Sequence, residues 1–62
     1  MNRVEFNCHI DMDNAAFDDD PSWELSRLLK SVGYCVAIGQ TEGVCMDITG
    51  SEVGKWAIES TE

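Results

Sequence analysis

Basic residues are scarce. Four Lys and Arg stand against twelve Asp and Glu, a formal net charge of −8 over 62 residues. Such a field repels nucleic acid and anionic membrane and attracts basic surfaces. Direct nucleic-acid binding is therefore not expected. Histidine occurs once, at His9. Long apolar runs are missing, so no stretch reaches a membrane span. The start, "MNRVEFNCHIDM", has no apolar core of signal-peptide length. The three cysteines, Cys8, Cys35 and Cys45, form no C-x-x-C pair and no disulfide framework. They are expected to be reduced thiols in a cytoplasm. Room is short as well. A chain of this length buries only about 60% of its unfolded surface. One helix and a small sheet fit; a deep substrate cleft does not. An enzyme is not expected, and a homodimer is a natural way to bury more apolar surface.

What is present is periodic. Val4, Phe6, Cys8, Ile10 and Met12 alternate with Arg3, Glu5, Asn7, His9 and Asp11, which predicts a half-buried strand with the first set facing a core. Five aspartates then fall between Asp11 and Asp20. Asp20 followed by Pro21 predicts an N-cap and a first helical residue. Asp18, Asp19 and Glu24 lie near the positive end of the helix dipole. Leu25, Leu28, Leu29, Val32, Cys35 and Val36 then form one helical apolar face, and Gly39 can cap its end. Gly33 interrupts this helix, so a rival reading stands beside it. In that reading the helix stops at Gly33, and residues 34–38, "YCVAI", form a strand paired with "VCMDI". The unbroken apolar face favours the long helix.

The last third reads as a hairpin. Val44, Met46 and Ile48 alternate on one strand and Trp56 and Ile58 on the return. "TGSEVG" holds the turn, with Gly50 able to supply positive φ and Gly54 a candidate bulge. The expected fold is one α+β domain over residues 1–62. Its order is β-α-β-β, a three-stranded, mainly antiparallel sheet with one helix packed on one face. The expected core is Val4, Phe6, Cys8, Ile10, Leu25, Leu28, Leu29, Val32, Val36, Val44, Met46, Ile48, Trp56 and Ile58, with Cys8 and Cys35 as buried thiols.

"IDMDNAAFDDDPSWELSRLLK" (10–30) and "DITGSEVGKWAIE" (47–59) resemble a family of short uncharacterised proteins from tailed phages and prophages. That family typically has a strand ending in D-N-A-A-F, an acidic D-P helix start and a V-G-x-W hairpin. The likeness covers most of the chain. The middle, "VGYCVAIG", departs from the charged helical run usual there, and Thr49 and Ser51 stand where the family prefers Asn. The resemblance implies an origin rather than an activity: a phage or prophage accessory protein made in a bacterial cytoplasm.

Chemistry-bearing motifs are thin. An EF-hand frame starting at Asp11 has Ala15 and Ala16 where ligand and glycine belong; a frame at Asp13 has Ala15 and Phe17 at ligand positions. Both fail. Cys8 and His9, as strand neighbours, point to opposite faces and seed no zinc site. No metal, cofactor or catalytic residue is expected. Two binding surfaces are. Asp11, Asp13, Asp18 and Asp19 form an acidic surface suited to a basic patch on a host or phage protein, where it can imitate nucleic acid and inhibit. Trp23, Arg27, Lys30 and Tyr34, spaced i, i+4, i+7 and i+11, form a second face of types that anchor interfaces. The first surface fits an inhibitor of a host defence or nucleic-acid enzyme; the second fits a self-associating or docking accessory protein. A bland reading of the second face has Trp23 folded back on Phe17.

Overall fold

A computed structural model of the chain describes residues 3–61. Strand β1 (Arg3–Ile10) leads through a 3-10 turn (Ala15–Phe17) to helix α1 (Pro21–Ala37), then β2 (Glu42–Met46) and β3 (Glu52–Thr61). The sheet is antiparallel in the order β1-β3-β2, the expected α+β architecture. The helix starts where Asp20 and Pro21 predict. The Asp20 side chain accepts the Trp23 N–H at 3.0 Å. It runs unbroken through Gly33 to Ala37 and is capped at Ile38, before Gly39 with φ 95°. Residues 34–37 are thus helical, and the rival strand is not formed.

The core is small and differs from expectation. Phe17, Leu28, Val32, Cys45, Val53 and Trp56 are buried, with Ile10, Ala16 and Cys35 packed against them. Phe17, Cys45 and Val53 are additions. Val4, Phe6, Cys8, Leu29, Val36, Val44, Met46, Ile48 and Ile58 are instead exposed, and Leu25 is half-buried. Three physical reasons account for this.

On β1 the alternation identifies the right face, but only its Ile10 end is covered, and Val4, Phe6 and Cys8 stay exposed. Cys8 pairs with Trp56 and Phe6 with Ile58, and the Phe6 ring centroid lies 6.0 Å from that of Trp56. The helix packs chiefly on the 3-10 turn and β2, leaving the β1–β3 end bare. On β2 the phase is shifted by one residue, which swaps the faces. Cys45 and Asp47 turn inward, and Val44 and Met46 outward. Gly43 supports this phase: a Cβ there would lie 2.8 Å from Trp56 Nε1, so the indole needs a glycine beneath it. On α1 the buried line is Glu24, Leu28, Val32, about one residue round from the expected stripe. Gly54 also has a different role. A Cβ there would sit 2.0 Å from the His9 carbonyl, so the glycine admits β1. The irregularity lies beside it, between Cys45 and Met46, where Val53 is the extra residue.

Candidate functional site

The acidic segment is built by its own side chains. Asp11 accepts the Asp13 N–H at 2.9 Å, and Asn14 accepts the Ala16 N–H at 2.8 Å. Both are local side-chain-to-backbone bonds that stand in for secondary structure. Phe17 plugs the loop into the core, and Asp20 caps α1. The result holds Asp11, Asp13, Asp18 and Asp19 exposed. Among the described residues none of these four carboxylates is in a salt bridge; the two ion pairs are Arg3–Glu5 and Arg27–Glu24.

The helix stripe is brought together only in part. Trp23 is 54% exposed and Tyr34 67%, with Lys30 also exposed. Phe17 goes into the core while Trp23 stays largely in solvent. Arg27 leaves the stripe. Its Nε donates to Glu24 Oε1 at 2.6 Å and its Nη2 to the Met46 carbonyl at 3.1 Å.

That contact belongs to a cluster the sequence reading missed. Glu24 is fully buried. One carboxylate oxygen takes Arg27 and the other takes the Ile48 N–H at 3.0 Å. The pair fastens the first turns of α1 to the β2–β3 turn. Asp47, also buried, organises that turn: its Oδ1 accepts the Thr49 N–H, the Thr49 hydroxyl and the Ser51 N–H at 2.9, 2.6 and 2.9 Å. The Arg27 hydrogen bond holds the Glu24 carboxyl below its ordinary value, against the burial that pushes it up; the Ile48 N–H adds to the lowering. The Thr49 hydroxyl, followed by the Ser51 N–H, does the same for Asp47. All buried side-chain polar atoms among the described residues have a hydrogen-bond partner, and the cluster acts as a fastening between helix and turn. The D-x-T-x-S spacing was a readable turn signal. Glu24 gave none, because an acid in the first turn is equally at home in water.

No three His, Cys, Asp or Glu side chains among the described residues are grouped as metal ligands. Burial pushes the Cys45 thiol up, and Cys8 and Cys35 nearby push it the same way. Of the two thiols expected to be buried, Cys8 is exposed and Cys35 half-buried, while Cys45 is the buried one. His9 pairs with Lys55, while Cys8 pairs with Trp56; as strand neighbours they sit on opposite faces, and no nucleophile–base pair results.

A third surface has no counterpart in the expected sites. Val4, Phe6, Leu29, Val36 and Ile58 line an open apolar groove between β1, the end of β3 and the outer flank of α1. All five are exposed. No helix among the described residues is long and apolar enough to cross a membrane. Comparison with known protein families, characterised proteins and solved structures returns no match.

Proposed function

We propose that the protein is a binding module for another protein, and that the acidic segment meets a basic surface on that partner. The observation that supports this most is the state of Asp11, Asp13, Asp18 and Asp19: exposed, unpaired among the described residues, and carried on a loop pinned by Asn14, Phe17 and Asp20. A pinned loop loses little freedom on binding. Trp23 follows in the first turn of α1, exposed, and supplies an aromatic anchor next to the charges. With the resemblance to phage and prophage accessory proteins, the reading becomes an inhibitor of a host defence or nucleic-acid-binding enzyme in a bacterial cytoplasm, acting by charge mimicry rather than catalysis. A docking role through the Trp23, Lys30 and Tyr34 face is the second reading, favoured by the exposure of both aromatics.

The test is capture from a bacterial lysate at low and high salt, by the wild-type chain and two variants. Asp13, Asp18 and Asp19 are changed together to Asn; Asp11 is kept because it holds the loop. The charge reading expects partners lost at high salt and lost by the triple variant. Partners that survive both and disappear with Trp23→Ala support the helix face instead. Capture indifferent to salt and to all these changes overturns both.

A further inference from the structure

We infer that the outer edge of β1 is the interface through which two copies of this chain pair, antiparallel, about a two-fold axis at Asn7. The inference concerns the uncovered apolar end of the molecule and shares only Asp11 with the acidic surface.

The first observation is which backbone groups are free. β1 is an edge strand, paired only with β3. The Asp11 N–H donates to the Val53 carbonyl at 2.7 Å. Hydrogen-bonded positions recur at every second residue of an antiparallel pair, so His9, Asn7 and Glu5 also bond to β3, opposite Lys55, Ala57 and Glu59. Val4, Phe6, Cys8 and Ile10 therefore turn their N–H and C=O groups to the open edge. The strand is eight residues long and contains no proline. It carries none of the usual devices against pairing beyond its charges.

The second observation is charge. Within one copy Glu5 lies opposite Glu59, and like charges directly opposite destabilise a sheet; Arg3 beside Glu5 and the Asn7 amide donating to Glu59 offset this in part. Across a two-fold axis at Asn7, Arg3 meets Asp11 of the second copy, and Glu5 meets its His9, whose ring N–H can donate to the carboxylate. Slipping the pairing by one residue would put the apolar side chains against the polar ones. Slipping it by two, which moves the axis by one residue, sets Arg3 opposite His9, or Glu5 opposite Asp11. Of these registers, the Asn7 one alone sets Arg3 against an acid and keeps Glu5 away from one.

The third observation is the apolar face. In that register Val4 lies beside Ile10 of the second copy, and Phe6 beside Cys8, each as a hydrogen-bonded pair. Val4 and Phe6 are 69% and 51% exposed in the single chain. The pairing brings the two grooves lined by Leu29, Val36 and Ile58 together on the helix side of one six-stranded sheet. A closed two-fold dimer of this kind also removes an edge that would otherwise recruit strands at random.

Sedimentation equilibrium over a range of concentrations tests this. The wild-type chain should reach twice the chain mass. Cys8→Pro removes an outward N–H and spares the β3 ladder, a place where an edge strand tolerates proline; it should weaken the dimer at least about tenfold. Should that variant fail to fold, charge decides. Glu5→Lys should also weaken the dimer while improving the match to Glu59, and adding His9→Glu should restore it. A chain that stays single up to about 1 mM, or a dimer unmoved by Cys8→Pro and Glu5→Lys, overturns the inference.

Discussion

The two ends of this molecule are built on different terms. At one end α1, the 3-10 turn and the β2–β3 turn close over Leu28, Trp56, Phe17 and Glu24, with Arg27 bound to Glu24 at the rim. At the other, Val4, Phe6, Leu29, Val36 and Ile58 stand open. The seventeen-residue helix packs chiefly on the 3-10 turn and β2 and leaves the β1–β3 end of the sheet bare. The chain secures one end with hydrogen bonds and leaves the apolar remainder for another surface. A small domain's exposed apolar residues are thus informative when they are contiguous and lie on one side of a strand.

Substitutions at the two ends should differ accordingly, and the largest effect belongs to Glu24. Glu24→Ala leaves the Ile48 N–H without its acceptor and Arg27 with the Met46 carbonyl alone, and a buried group left unpaired makes such a change disruptive. No cooperative melt should remain by circular dichroism. The same cluster sets the acid limit. Glu24 and Asp47 are both held below their ordinary values of 4.5 and 3.8. A depressed folded-state pKa contributes stability that is complete above the unfolded value and is lost as pH falls through the folded one. The melting temperature should therefore hold down to about pH 4.5 and drop below it. Asp47→Asn should lower it at neutral pH and flatten the acid decline.

Neighbouring leucines sharpen the contrast. Leu28 is 2% exposed and Leu29 50%. Leu28→Ala should cost about 2–5 kcal/mol and Leu29→Ala under about 1 kcal/mol, by chemical denaturation at low protein concentration. Comparable losses would mean the helix is turned differently. Asp20→Ala should cost about 0.5–2 kcal/mol through the lost cap. Gly33→Ala is the smallest change. A Cβ there meets nothing within 4 Å, so it should stabilise the helix by up to about 1 kcal/mol.

These differences mark what was legible in the sequence. Element order, the Asp20–Pro21 start, the helix through Gly33 and the Gly50 turn all rest on local chemistry and were readable. The facing of each element was not. Val44 and Met46 alternate as well as any core strand, yet Cys45 and Asp47 turn inward, because Asp47 must reach Thr49 and Ser51 and Gly43 must lie under Trp56. Leu29 fits a helical stripe as well as Leu28, but Glu24 sets the rotation of α1. Of the binding surfaces, the aspartates are placed as expected. Arg27 is lost to Glu24, since an arginine within reach of a buried carboxylate satisfies it first. The open groove could not be read, because periodicity reports which face is apolar and not whether anything covers it.

Amide hydrogen exchange along β1, followed by NMR in dilute and concentrated samples, tests most directly that the bare end is where two copies meet. In dilute solution Glu5, Asn7 and His9 should exchange slowly, through their bonds to β3, and Phe6, Cys8 and Ile10 fast. On concentration the second set should slow to match the first, with no change in the amides of β2. Fast exchange at Phe6, Cys8 and Ile10 at every concentration would contradict it.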